Sequence, residues 1–144
     1  MARTASPGSG APSPPDHVGP QDDVDPTLEP DVFARACTSR PVLQDVTGRW
    51  GALALGALHQ GPTRFNALRR RVDGVSEKML AQTLQALERD GFVLRDVQAT
   101  IPPRVEYRLT PLGTSVAEHL LGLIELLEGS MDEVGAAQRA YDER

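Results

Sequence analysis

Residues 64–91 read RFNALRRRVDGVSEKMLAQTLQALERDG, and the pattern in this stretch decides the fold. It describes two helices joined by a sharp turn. The second helix starts at Ser76, whose hydroxyl can accept from the free backbone N–H groups of the next turn. Val75 and Leu80 flank that start at the spacing of a hydrophobic staple. Leu80, Leu84 and Leu87 then recur at i, i+4 and i+7, which makes one apolar face, and Gly91 supplies a C-terminal stop. The opposite face carries Glu77, Lys78, Gln82, Gln85 and Arg89 around the small Ala81. On an isolated helix such a face is ordinary solvated surface. Here a shorter amphipathic helix marked by Phe65, Leu68 and Val72 precedes it, and Asp73-Gly74 forms the turn.

Downstream, Phe92 to Ala99 (FVLRDVQA) and Arg104 to Leu109 (RVEYRL) read as two strands around the corner Thr100-Ile101-Pro102-Pro103. In the second strand Val105, Tyr107 and Leu109 share one face, while Arg104, Glu106 and Arg108 share the other. Helix, turn, helix and hairpin in this order predict a winged helix-turn-helix: a mainly α chain with a small β-hairpin wing, of α+β class.

Upstream, the chain is of two kinds. Residues 1–30 are rich in Pro, Gly, Ser and Asp with almost no large apolar side chain, so they are expected to form a disordered acidic tail. Residues 31–144 are expected to form one domain, because slightly over a hundred residues make one core and not two. Val32, Phe33 and Ala36 suggest a short lead-in helix, and Pro41 can open the next helix in its first turn. Val42, Leu43 and Val46 give that helix its apolar side, and Gly48 breaks it. The run WGALALGALH from Trp50 to His59 is apolar nearly all round, which predicts a buried central helix anchored by the single tryptophan, with Gly61-Pro62 as its stop.

Beyond the wing, Thr110-Pro111 is a helix start, a capping hydroxyl followed by proline at the first helical position. Val116, Leu120, Leu123, Ile124 and Leu127 then make an apolar stripe, widened by Leu121 and Leu126. That width exceeds what a small winged core needs, so the stripe is expected to be a dimerisation surface. Gly129-Ser130 marks a kink or an end, and Met131 to Tyr141 a final short helix.

Charge is unevenly placed. Nine basic residues and six acids fall between Arg64 and Arg108, a net of +3, whereas residues 109–144 hold seven acids and two arginines, a net of −5. The basic footprint needed to release counterions from DNA therefore coincides with the helix-turn-helix and the wing, although the whole chain is at −5. The single cysteine, Cys37, excludes an internal disulfide and suits a reducing compartment. His17, His59 and His119 lie far apart without ligand spacing, so no metal site is expected, and no cofactor. No spacing assembles a nucleophile, a base and an orienting group, so an enzyme is not expected. No run has the form of a signal peptide or the length of a membrane span, and the expectation is a cytoplasmic protein without a membrane partner.

These residues resemble the HxlR-type regulators of bacterial transcription. The similarity lies in Gly48-Arg49-Trp50, Arg64-Phe65-Asn66-Ala67-Leu68 and Val75-Ser76-Glu77-Lys78-Met79-Leu80, with Leu84, Leu87 and Glu88 following. It continues through Asp90-Gly91-Phe92-Val93 and Arg95, and its most distinctive part is Pro102 to Gly113 (PPRVEYRLTPLG). It runs from about Cys37 to the C-terminus and leaves out the acidic tail. The resemblance implies a dimeric winged-helix protein, related to MarR-type regulators, that binds operator DNA and responds to a signal. That family commonly has a cysteine thirteen residues before the tryptophan; Cys37 stands at that distance from Trp50, with Thr38 where the family commonly has proline.

The reading is therefore a dimeric, sequence-specific DNA-binding transcriptional regulator whose partner is double-stranded operator DNA, with an oxidant, electrophile or small molecule as effector. Its DNA-binding candidates are Arg64, Ser76, Glu77, Lys78, Gln82, Gln85, Arg104 and Arg108, with Lys78 and Gln82 at base edges and the arginines on phosphates or in the minor groove. Cys37 is the redox-sensing candidate, and Arg35 and Arg40 lie close enough in sequence to favour its thiolate. The alternative is a winged-helix protein-interaction module that docks a protein partner without DNA.

Overall fold

The computed structural model describes residues 31–144 together with Thr4, Gly8 and Gly10, so the tail assigned to residues 1–30 lies, apart from those three, outside the described residues. The element order is α1 (Ser39–Thr47), α2 (Gly51–Leu58), β1 (Thr63–Arg64), α3 (Phe65–Arg71), α4 (Glu77–Arg89), β2 (Val93–Gln98), β3 (Arg104–Leu109), α5 (Pro111–Gly129) and α6 (Met131–Asp142). The lead-in helix expected over Val32–Ala36 is replaced by successive turns, closed by Ala34 N–H to the Asp31 carbonyl and Cys37 N–H to the Ala34 carbonyl. The reason is the lack of a surface to cover: Phe33 is 86% exposed, and a short helix without a buried face is not stable. Leu43, expected on the apolar side of α1, also stands half exposed, whereas Val46 is buried and Val42 packs against the core. Pro41 falls in the first turn of α1, where a missing N–H leaves no bond unmade.

Helix α2 is the hub, touching α1, α3, α4, α5 and β3. Leu55 and Leu58 of α2 pack with Leu68 of α3, Leu80, Leu84 and Leu87 of α4, Val93 of β2, and Ala117 and Leu120 of α5. Burying each such leucine stabilises the fold by about 1.5–3 kcal/mol. The small residues of α2 set how closely its neighbours approach. A Cβ on Gly51 would lie 2.0 Å from the Asp45 carbonyl oxygen, and one on Gly56 would lie 3.4 Å from Leu121. Glycine at the first position lets the end of α1 turn directly into α2.

Strand β1 was not legible in the sequence. Its two residues pair with β3, Thr63 with Tyr107 and Arg64 with Glu106, so the expected hairpin becomes a three-stranded antiparallel sheet of order β1-β3-β2. The hairpin itself runs in register from Val93 opposite Leu109 to Gln98 opposite Arg104. At its base, Thr110 accepts from the Gly113 N–H at 2.9 Å to cap α5 and donates to the Gly91 carbonyl at 2.6 Å. One side chain thereby joins the start of α5 to the end of α4 and fixes the wing relative to both.

Candidate nucleic-acid interface

The turn between α3 and α4 is built by its own residues. Val72 and Val75 are buried on either side of Gly74, whose φ of +89° is a conformation that side-chain-bearing residues rarely adopt. Ser76 then caps α4 by accepting from the Met79 N–H at 3.1 Å, and the staple partners Val75 and Leu80 are both buried. At the other end Gly91, with φ +84°, closes a Schellman turn: Phe92 N–H reaches the Leu87 carbonyl and Gly91 N–H the Glu88 carbonyl. Helix α4 is thus held at both termini and along Leu80, Leu84 and Leu87. Its other face, with Glu77, Lys78, Gln82 and Gln85, is exposed.

Three neighbouring clefts make this face part of one band. The first, of about 580 Å³, runs along α4 against the α1–α2 junction and includes Ser76, Met79 and Gln82 with Arg49 and Trp50. The second, of about 730 Å³, lies across the helix-turn-helix turn and includes Ser76, Asn66 and Arg70. The third, of about 710 Å³, separates α3 from the wing tip and includes Arg64, Asn66, Arg70 and Arg104. Ser76 borders the first two clefts, and Asn66 and Arg70 border the last two, so the surface is continuous from Gln82 to the wing.

The candidate residues are not equivalent within this band. Ser76 has its hydroxyl on the helix cap. Glu77 pairs with Arg69 across the turn at 3.4 Å, an exposed contact that contributes about 0–1 kcal/mol. Arg108 stands 4.0 Å from Asp96 on the neighbouring strand. Arg64 and Arg104 make no ion pair among the described residues. Reading the sequence missed Asn66 and Arg70 as part of this surface. Their i, i+4 spacing on α3 was the available signal, because it puts both on one helix face.

The stripe expected to form a dimer divides in two. Val116 and Leu120 pack in the chain's own core, Leu120 being buried, so the surface expected there is corrected to interior packing, whereas Ile124 is half-buried near Gly56 of α2. Leu123 and Leu127 are each 50% exposed, and Leu126 beside them is 65% exposed. Helix α6 has no buried residue. Cys37 is half-buried in the turn before α1, and its Sγ lies 3.0 Å from the Ser39 hydroxyl. That hydrogen bond, and then the Ser39 backbone, lower the thiol pKa, with Asp31 acting in both directions; Arg35 and Arg40, expected to do this, do not contribute.

Among the described residues no cluster of His, Cys, Asp and Glu could hold a metal ion, and no helix is long and apolar enough to cross a membrane. A carboxyl pair lies behind the interface. One oxygen of Asp90, the residue that ends α4, is buried without a hydrogen-bond donor. Burial, and then the neighbouring Asp45 carboxyl, raise the Asp90 pKa, with Arg89 opposing.

The family model described as HxlR-like helix-turn-helix matches residues 45–134. The HTH-type transcriptional regulator YtfH of Escherichia coli (strain K12), itself uncharacterized, is 53% identical over 116 residues, covering 81% of this chain and 90% of YtfH. The solved structure of ytfH from Salmonella typhimurium is 50% identical with a TM-score of 0.73, covering 77% of this chain and 99% of that one. The redox regulator HypR in its reduced form is 32% identical with a TM-score of 0.62, covering 67% of this chain and 96% of HypR. With the helix-turn-helix, the capped second helix and the wing in place, the chain belongs to the HxlR-like helix-turn-helix family and is a winged-helix transcriptional regulator.

Proposed function

We propose that this regulator binds duplex DNA as a homodimer, reading the major groove with α4 and holding the backbone with α3 and the wing. The observation that carries the reading is the continuous band from Gln82 through Ser76 and Asn66 to Arg104. Gln82 lines it and Lys78 and Gln85 are exposed on the same helix, and amide or ammonium groups there match purine edges. Among the described residues Arg64 and Arg104 make no ion pair, which suits phosphates, while Arg108 must first leave Asp96. The pair of protomers meets through the exposed leucines of α5, Leu123, Leu126 and Leu127, because a surface of this kind on a small domain calls for a partner. Two protomers would present two copies of α4, and the operator would then be a pair of half-sites. Titration of a duplex from the region upstream of the protein's own coding sequence, with footprinting, tests the first part. Sedimentation equilibrium of wild type and Leu126→Glu tests the second. Failure of the upstream duplex to compete better than mixed-sequence DNA would remove sequence-specific reading.

Cys37 is the proposed entry for an oxidant signal. Its thiol is partly accessible, its pKa is lowered by Ser39, and HypR, a structural neighbour, is a redox regulator. With no second cysteine in the chain, oxidation would give a sulfenic acid, a mixed disulfide or a bridge between two protomers. Reversible loss of DNA binding under peroxide or a quinone, absent from Cys37→Ser, would support this role. An identical response from Cys37→Ser would place the signal elsewhere.

A further inference from the structure

The three consecutive arginines of α3 have three different surroundings. Arg69 is paired with Glu77 across the turn, and Arg71 borders a groove between α2 and α5 together with Glu125 and Glu128. Arg70 borders the cleft between α3 and the wing tip with Arg64, Arg104 and the Asn66 amide. Ile101, Pro102 and Pro103 give the same cleft an apolar wall, and Ile101 is fully exposed. No aspartate or glutamate lines it, and none of its three arginines makes an ion pair among the described residues. The cleft across the turn differs, because Asp73 and Glu77 line it beside Arg69 and Arg70. Three guanidinium groups around one open space repel one another, and carboxylates that accept their paired N–H groups remove the repulsion.

The chain carries such carboxylates itself. Residues 16–29 read DHVGPQDDVDPTLE and hold Asp16, Asp22, Asp23, Asp25 and Glu29 without one lysine or arginine. Asp23 and Asp25 flank Val24, a pairing of charge and apolar surface that complements the two walls of the cleft. This stretch lies outside the described residues, and it joins the domain at Asp31, ahead of α1. An extended chain covers about 3.3–3.6 Å per residue, so Asp22 can lie roughly 30 Å from Asp31 and Asp16 roughly 50 Å. A domain of about a hundred residues has a radius of gyration of about 13 Å, which puts the cleft within reach. Charge selects among the surfaces reached: residues 109–144, at −5, repel the acids, and residues 64–108, at +3, attract them. We propose that residues 16–29 of the chain's own tail dock in the cleft between α3 and the wing tip, carboxylates on Arg64, Arg70 and Arg104, and compete there with DNA. The docking stands without the DNA-binding reading, and the competition rests on it. Exposed ion pairs of this kind are weak and screened by salt, so the tail is an occupant that a duplex displaces.

The docking is tested by NMR on the full chain, with a nitroxide on Gln21→Cys in a Cys37→Ser background. The backbone amide signals of Asn66, Arg70 and Arg104 should broaden, and should sharpen again in 1 M NaCl. Broadening confined to residues near Asp31, or found instead on α5 and α6, would overturn the docking. Mixing isotope-labelled protein without nitroxide and unlabelled protein with it identifies the source of the tail. Equal broadening in that mixture would give the cleft to the tail of another copy and overturn the assignment to the chain's own. The competition is tested by the affinity of a mixed-sequence duplex, measured by fluorescence anisotropy across a salt series. Wild type is compared with a tail variant, Asp16→Asn, Asp22→Asn, Asp23→Asn and Asp25→Asn together. The control removes the same charge elsewhere, by Asp132→Asn, Glu133→Gln, Asp142→Asn and Glu143→Gln, and circular dichroism confirms that each protein is folded. A competitor lowers apparent affinity by the fraction of clefts left open, so the tail variant should bind roughly three- to tenfold more tightly at low salt. Its log–log salt slope should be steeper by about 0.9 for each arginine the tail no longer neutralises, and the control should match wild type. Equal gains in the tail variant and the control would mean net charge alone and overturn the competition, as would no gain in the tail variant. If wild type binds no duplex even at low salt, the DNA-binding reading falls, while the amide broadening still decides the docking.

Discussion

Gly113 of α5 lies directly against the backbone of Phe92, which joins α4 to the wing, and replacing it by alanine should damage the fold more than any exposed change nearby. A Cβ there would lie 1.9 Å from the Phe92 carbonyl oxygen and 2.8 Å from its carbon, both backbone atoms. An unstrained carbon–oxygen contact is about 3.3 Å, so α5 would have to withdraw by more than about 1 Å. Withdrawal stretches the bond from Thr110 to the Gly91 carbonyl and exposes the edge of the core at Ala117 and Leu120. Overpacking of this kind costs about 1–3 kcal/mol, and loss of the cap adds about 1 kcal/mol, so roughly 3 kcal/mol is expected. For a domain of this size that corresponds to a melting point lower by roughly 10–15 °C. The matched control is Gly122→Ala in the same helix, where a Cβ meets nothing within 4 Å. There the intrinsic helix preference for alanine should stabilise by about 0.5–1 kcal/mol. Both are measured by calorimetry at the same protomer concentration, because association changes the apparent midpoint. Similar shifts for the two variants would refute the reasoning, since it predicts opposite signs from one substitution in one helix.

Thr110→Ala removes both the α5 cap and the bond to Gly91, and should cost about 1–2 kcal/mol by urea unfolding; Thr110→Ser should recover most of it. Ser39→Ala should raise the Cys37 pKa and slow alkylation of that thiol by iodoacetamide at neutral pH, measured by mass spectrometry, while leaving the rate above pH about 9 little changed. Asp90 has a raised pKa in the folded protein, so its contribution is intact below the ordinary carboxylate range and is lost as pH rises through the raised value. Asp90→Asn should therefore increase the melting temperature at neutral pH and have little effect in acid, and a uniform shift at both would show that the ionised carboxylate is not the cause.

The helix-turn-helix was legible because its signals are local and agree with one another. Ser76, Val75 with Leu80, the leucine period and Gly91 each specify α4, and all of them take their expected places. Thr110-Pro111 did the same for α5. What the sequence concealed depends on tertiary partners. Strand β1 has two residues, too few for any periodicity, and exists because β3 offers it an edge. The turns around Phe33 contain helix-compatible residues, but no core surface waits for them. The stripe on α5 looked like one surface because periodicity gives direction and not the partner; α2 takes Ile124 and Leu121, and Leu123, Leu126 and Leu127 remain exposed. Within the candidate site, the run Arg69-Arg70-Arg71 carried only its charge in sequence, and the three surroundings became visible once α5, the turn and the wing were placed.

The central claim is that α4 reads bases, and Gln82→Ala tests it most directly. Gln82 is exposed on the polar face of α4, lines the cleft beside Ser76, and makes no side-chain hydrogen bond among the described residues that its loss would break. Affinities of wild type and variant are measured on the footprinted upstream site and on a mixed-sequence duplex of equal length, at one salt concentration. The account predicts a loss of about 1–3 kcal/mol on the preferred site, with relaxed preference at one base pair, and no loss on mixed sequence. Equal losses on the two duplexes would contradict it, because they would make Gln82 a backbone contact and leave α4 without a shown role in reading sequence.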